Sequence, residues 1–347
     1  MRRLRGEPTL VSRLAKLWSL ALVAFLAMGS VGAYAYVVGA WRYRGYPPPV
    51  VPATVGVPGE PGVSVPVVAG TVHLLDVTSP ALAGRTMRVP VLLPPGYGTD
   101  PLRRFPVLYL LHGTPGQPTA FLTVGQVAVW QAELQALGRI RPMIIVMPPG
   151  GLSTFDDTEW ADGVAPGSGW ATYVARDVVR AVDAAYRAIP AGWARAIGGL
   201  SEGGYGAINI ALQHPGEFDT VESWSGYEIA QNIPSVFGRD GALMTANSPI
   251  DELPGVAARL RARGVRFWFY TSTRDRSRFQ NLAFARMLAS FGIQNHAFMV
   301  DGGHDWATWR PRVPAALIAA SSGLVRRSHR SARPQPAPHP KEGRRAR

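Results

Sequence analysis

Short apolar runs alternate with longer amphipathic stretches through the middle of the chain. Strand-like runs fall at residues 72–77, 87–93, 107–111, 143–147, 194–197, 220–224, 267–271 and 295–300. Helix-like stretches lie between several of them, at 127–137, 173–186, 204–213 and 279–291. Tyr173, Val174, Val178, Val179, Val182 and Tyr186 recur at helical spacing, so that segment presents one apolar stripe to a sheet. Short apolar strands separated by amphipathic helices predict a mostly parallel central sheet covered on both faces. In such a sheet the chemistry collects at the carboxyl ends of the strands.

The pattern stops at both ends of the chain. Residues 17–41 contain no charge and are long enough to cross a bilayer. Arg2, Arg3, Arg5, Arg13 and Lys16 precede this run while only Arg42 and Arg44 follow closely, which keeps the N-terminus in the cytoplasm and exports the rest. The small-x-small triplet Ala33-Tyr34-Ala35 has the form of a signal-peptide cleavage site. The apolar stretch continues past it to Val38, which favours one retained transmembrane helix over a cleaved peptide. Either alternative leaves the body outside the cytoplasm. Residues 45–66 are proline-rich and without periodicity, an extended, semi-rigid linker. Residues 326–347 have almost no apolar content and read as a basic disordered tail, either adhering to anionic envelope components or simply solvated. The organisation expected is therefore a stub and anchor over 1–44, the linker over 45–66, a catalytic body over 67–325, and the tail.

Charge sharpens that division. The 347 residues carry a net charge of +13. Seven basic residues against Glu7 in residues 1–44 give +6, and eight against Glu342 in the tail give +7. The flanks thus hold all of it, and a neutral body has no surplus cations with which to bind nucleic acid. The absence of cysteine excludes disulfides, thiolate metal sites and a cysteine nucleophile.

The strongest chemical signal is Gly199-Leu200-Ser201-Glu202-Gly203, the form G-x-S-x-G. A strand runs into it and a helix runs out, so Ser201 sits on a sharp strand-to-helix turn that only small neighbours let close. A serine hydroxyl needs a base. Of the seven histidines, His329 and His339 lie in the tail, and His73 and His296 in strands. His214 ends a helix, where a cation suits the dipole. His112 reads as a structural residue of its loop. His304, in the Gly-rich loop after the last strand, is the candidate general base. Asp275 follows the strand at 267–271 and is the candidate for orienting the imidazole. Its rivals Asp301 and Asp305 are too near His304 in sequence to fold back readily. The oxyanion donors expected are the backbone amides of Glu202 and of Gly113 or Thr114, since Pro115 has no N–H.

Five segments, RVPVLLPPGY, FPVLYLLHGTPG, GLSEGGYGA, WSGY and GGHDWATW, resemble the esterase D family of α/β-hydrolases over roughly residues 68–320. That group includes feruloyl esterases, S-formylglutathione hydrolases and mycolyltransferases. The resemblance implies the α/β-hydrolase fold, Ser201, Asp275 and His304 as catalytic residues, and no metal or organic cofactor. It does not fix the substrate, since these relatives act on different acyl groups and acceptors; the reading is a carboxylesterase acting on a small-molecule, lipid or glycan ester. The alternatives are an envelope acyltransferase that passes the acyl group to a sugar or lipid hydroxyl, and a silent binding protein on the same fold. The Glu202 side chain is expected near the mouth of the site, disfavouring anionic acyl donors. Asp156, Asp157, Glu159 and Asp162 form an acidic cluster that reads as a solvated loop rather than a calcium or sugar site. Trp160, Trp224, Trp306 and Trp309 are candidates for lining an apolar acyl site, although the last two, three residues apart, also suit helix packing.

Overall fold

A computed structural model describes residues 49–324. The charge-free run at 17–41 and the basic tail fall outside the described residues. Among those residues, no helix is long and apolar enough to cross a membrane.

The strands are β1 (Thr54–Gly56), β2 (Ser64–Pro66), β3 (Thr71–Ser79), β4 (Arg85–Leu93), β5 (Val107–Leu111), β6 (Ile144–Val146), β7 (Arg195–Gly199), β8 (Thr220–Trp224), β9 (Arg266–Ser272) and β10 (Gln294–Val300). Eight of them form one sheet in the order β10-β9-β8-β7-β5-β6-β4-β3. The pairings from β10 through to β6 are parallel, and β4 and β3 close one side antiparallel. Every residue of β5, β7 and β8 is buried. Because successive side chains point to opposite faces, burial of all of them requires both faces to be covered.

The covering helices are α1 (Val127–Ala136), a three-part helix α2, α3 (Glu202–Gln213), α4 (Pro249–Arg263), α5 (Arg278–Ser290) and α6 (Val313–Gly323). Helix α2 runs through Trp170–Thr172 and Val179–Ala185, with a π-wound turn at Tyr173–Val178 between them. Its predicted stripe is the buried one: Tyr173, Val174, Val178, Val179 and Val182 are in the main core, and Tyr186 packs against it. Helix α3 is the most enclosed, with every residue but Gln213 buried.

One expectation changes. Within the proline-rich stretch, β1 and β2 pair antiparallel as a two-stranded ribbon, Thr54 opposite Pro66. Turn hydrogen bonds, Val57 N to Val63 O at 2.9 Å and Val63 N to Glu60 O at 3.1 Å, close the hairpin locally. This part of the linker is therefore folded back on itself rather than extended.

Candidate active site

Strand register places the candidate residues along one edge of the sheet. Leu111 pairs with Gly199, Trp224 with Tyr270, and Ser272 with Val300, so β5, β7, β8, β9 and β10 end together. Just beyond those ends come His112-Gly113-Thr114, Ser201, Asp275 and His304.

Ser201 has φ 57° and ψ −124°. This is the left-handed half of the map, where a residue with a Cβ costs about 1–3 kcal/mol. The surroundings hold it there. Its amide donates to Trp224 O at 2.9 Å, and its carbonyl accepts from the Gly204 and Tyr205 amides at 2.9 and 3.1 Å. Space explains the flanking glycines of the motif. A Cβ on Gly199 would stand 2.4 Å from Leu111 O, and one on Gly203 would stand 2.0 Å from the same atom. Any side chain at either position would push the turn off β5.

The turn aims the hydroxyl at His304. Ser201 Oγ lies 2.7 Å from His304 Nε2, and His304 Nδ1 lies 2.6 Å from Asp275 Oδ1. Behind it, Asp275 Oδ2 accepts from the Ser272 amide at 2.7 Å and from Thr271 Oγ1 at 3.2 Å. The carboxylate is 1% exposed while the His304 side chain is 44% exposed, so the chain runs from a dry acid to a wet imidazole. Burial raises the Asp275 pKa, but the hydrogen bonds from His304 and the Ser272 amide, with the charge of the neighbouring imidazole, outweigh it and hold the carboxyl below its usual value. Asp275 is thus an anion when His304 needs a counter-charge. The rival acids are engaged elsewhere. Asp301 accepts from Thr273 Oγ1 at 3.0 Å, and Asp305 caps the short helix Trp306–Trp309 through the Thr308 amide at 3.1 Å. Trp309 meets the His304 ring edge-on at 5.0 Å, bracing its plane.

The loop after β5 passes directly beside the serine, since a Cβ on Gly113 would lie 2.8 Å from Ser201 Cβ. The Glu202 amide opens α3, where a helix leaves its first N–H groups without intrahelical acceptors. The backbone of the loop after β5 and the first turn of α3 thus both adjoin Ser201.

The sequence matches the putative esterase family over residues 79–320. The chain belongs to that family. An uncharacterized protein of Corynebacterium glutamicum is 27% identical over 227 residues, covering 63% of this chain and 53% of that protein. An esterase of Mycobacterium tuberculosis is 34% identical over 138 residues, 40% of this chain and 28% of its own length. The chain thus spans about half, or less, of the curated relatives it matches. A ferulic acid esterase structure superposes with a TM-score of 0.65 at 25% identity, covering 74% of this chain and 100% of that one. This likeness, with the mostly parallel sheet, gives the chain the α/β-hydrolase fold.

Within this family fold several sequence expectations need correction. The Glu202 side chain does not stand at the mouth of the site: it is 4% exposed and in close contact with Thr114 Oγ1. Glu159 is not part of a solvated loop. It is fully buried, accepts from Tyr227 Oη at 2.6 Å and the Gln231 amide at 3.2 Å, and is pushed up to a pKa of about 8 chiefly by burial. Asp156 instead ties its own loop, accepting from the Leu152 and Ser153 amides at 2.6 and 3.0 Å, and Asp162 accepts from the Thr172 amide at 2.9 Å. No cluster of three or more metal-ligand side chains occurs among the described residues. Trp160 and Trp224 are fully buried and line no acyl site. Trp160 instead fills the space against Gly206, where an added Cβ would stand 2.5 Å from its own Cβ. His214 does end α3, but burial lowers its pKa, so it is not the dipole-matched cation expected there.

His112 is a structural residue of the loop after β5. Its Nε2 accepts from the Gly150 amide at 2.9 Å, its carbonyl accepts from Trp160 Nε1 at 3.1 Å, and burial lowers its pKa from 6.5 to about 4. The unfolded chain takes up a proton on this histidine below about 6.5 that the folded protein refuses. Stability from His112 is therefore full above that pH and is lost as the pH falls toward 4, by about 3 kcal/mol. In urea titrations, the midpoint of wild type should fall over this range more steeply than that of His112→Gln, whose amide oxygen still accepts from Gly150. Parallel curves for the two proteins would contradict the assignment.

Proposed function

We propose that the chain is a serine carboxylesterase that works through an acyl-enzyme. The 2.7 Å contact between Ser201 Oγ and His304 Nε2, on an imidazole already tied to Asp275, carries this reading. Ser201 attacks the ester carbonyl and His304 takes its proton. Asp275, ionised and buried, holds the ring in the tautomer with Nδ1 protonated and stabilises the imidazolium. The amide of Glu202 and those of Gly113 or Thr114 receive the oxyanion. His304 then returns its proton to the departing alkoxide. In the second half-reaction it deprotonates water, which attacks the acyl carbonyl, and Ser201 leaves as the free hydroxyl. Every proton passes through one imidazole, and no metal or organic cofactor enters.

Hydrolysis is preferred over transfer to a sugar or lipid hydroxyl because the His304 side chain is 44% exposed, within reach of the deacylating water. The ferulic acid esterase neighbour makes an ester of ferulic acid a sensible first substrate. The charge-free run at 17–41, with its leading basic residues, supports placing the domain on the outer side of a membrane. The basic tail is the part suited to anionic envelope components.

Labelling and turnover test the reading together. An alkyl fluorophosphonate should modify Ser201 stoichiometrically, and the protein should release p-nitrophenol from p-nitrophenyl esters and methanol from methyl ferulate. A protein that neither takes the label nor turns over any ester across a range of acyl lengths is a binding protein on this fold. Acyl transfer to an added sugar faster than hydrolysis makes it an acyltransferase.

A further inference from the structure

The hydroxyl of Thr114 lies between two oxygens. Its Oγ1 is 3.1 Å from the carbonyl oxygen of Asp156 and in close contact with Oε2 of Glu202. A hydroxyl has one proton to give, a backbone carbonyl can only accept, and an ionised carboxylate can only accept. With Glu202 ionised, one of the two contacts would set lone pair against lone pair. A neutral Glu202 satisfies both: its O–H donates to Thr114 Oγ1, and the threonine proton goes to Asp156 O. The second carboxyl oxygen stays free to accept from the Thr158 amide.

The surroundings favour the same state. Burial is the largest influence and pushes Glu202 up; the bond from Thr114 opposes it, Asp157 and Glu159 reinforce it, and the Thr158 amide opposes it. The balance lies well above the usual carboxylate range. The charged groups acting on Glu202 are thus both acidic, on the loop that carries Thr158. From its own helix and from the segment after β8 it faces the phenols of Tyr205 and Tyr227, which burial keeps protonated. The imidazole of His112, at the root of the Thr114 loop, is likewise held neutral by burial.

We propose that Glu202 is a positioning residue: its protonated side chain clamps Thr114, fixing the spacing between the two sources of oxyanion donors. One residue then supplies a donor through its amide and braces the opposite donor loop through its carboxyl. Ionisation would draw the Thr114 proton to the carboxylate, cost the bond to Asp156 O that fixes the hydroxyl, and place a negative charge in a dry site beside the developing oxyanion, where charges interact strongly. This rests on the esterase reading, because it concerns the oxyanion formed on Ser201 attack.

The test separates the clamp from mere space-filling. Glu202→Ala should lower kcat about 10- to 100-fold with KM little changed, as expected for donors displaced from the transition state. Glu202→Gln should return kcat to within about fivefold of wild type, because its carboxamide donates to Thr114 and accepts from Thr158. Thr114→Val should match Glu202→Ala, and the double variant should lose no more than either alone. A wild-type minus Glu202→Gln infrared difference spectrum at neutral pH should show a carboxylic acid band. A carboxylate band instead, a glutamine variant as slow as the alanine one, or additive losses would overturn the proposal. Failure of the esterase reading looks different: wild type itself would hydrolyse no ester and Ser201 would take no fluorophosphonate.

Discussion

Replacing Ser201 with alanine is expected to lower kcat for ester hydrolysis by about 10⁵–10⁶-fold while KM changes little. The loss is large because the three side chains act as one unit. Without Oγ, His304 has no hydroxyl proton to take and no acyl-enzyme can form. The residual rate would be water attacking a bound ester, still helped by the flanking amides. KM should hold because Oγ contributes to the transition state rather than to ground-state binding. Stability supplies an independent readout. Alanine keeps the Cβ that makes φ 57° costly, so its unfolding midpoint should stay near that of wild type. Ser201→Gly removes the Cβ and should be more stable than Ser201→Ala by about 1 kcal/mol, although equally inactive. Such a trade of stability against activity at one residue is what a strained nucleophile turn predicts. If Ser201→Ala hydrolysed esters within tenfold of wild type, the serine mechanism would be wrong. If the glycine variant were the less stable of the two, the turn would not be strained.

The fold was most legible where burial is complete on both sides of a strand. β5 and β8 begin and end where expected, and every residue of both is buried; β5 is an unbroken apolar run, whereas β8 carries Glu222 and Ser223 between Val221 and Trp224. β7 was read short. Gly198 and Gly199 carry no apolar signal, yet they continue the strand by pairing with Leu110 and Leu111. Helix α4 went unread because Pro254 lies inside it and only Pro249, Leu253, Ala257 and Leu260 are buried, a narrow stripe on a polar segment. The β1–β2 ribbon was hidden for a similar reason: three-residue strands leave no period to detect.

At the site the same contrast holds between backbone logic and side-chain reach. Ser201, Asp275 and His304 could be picked out together because each follows a recognisable strand, and the sheet brings strand ends to one edge. The clamp between Glu202 and Thr114 could not, since the two residues are 88 apart in sequence and meet only because Gly203 lets α3 press against the end of β5. Nor did the acidic loop announce that Glu159 turns inward to Tyr227 while Asp156 stays outside. Periodicity reports which face of an element is buried. A loop has no period, and its acids sort themselves by the hydrogen bonds available at each position.

The acid of the chain allows a sharper expectation, because its two oxygens have different partners. Asp275→Asn should reduce kcat by about 10⁴-fold while leaving the fold intact. The Oδ2 position accepts from the Ser272 amide at 2.7 Å and from Thr271 Oγ1 at 3.2 Å. The Ser272 N–H can only donate, so an asparagine must turn its carbonyl oxygen there and present its NH₂ to His304. Nδ1 then has to accept, which moves the ring proton to Nε2, facing Ser201 Oγ. With Nε2 already protonated, no lone pair faces Ser201 Oγ to take its proton, and the buried anion that would stabilise the imidazolium is gone. Asp275→Ala removes the orienter without imposing the wrong tautomer, so its loss should be smaller than that of the asparagine variant. That order decides the point, since a simple loss of charge would make the two equal and a purely structural role would make alanine the worse. Nitrogen-15 spectra of the imidazole offer a direct check. In wild type the proton should sit on Nδ1, and in Asp275→Asn on Nε2; an unchanged tautomer in the variant would remove the basis of the expectation.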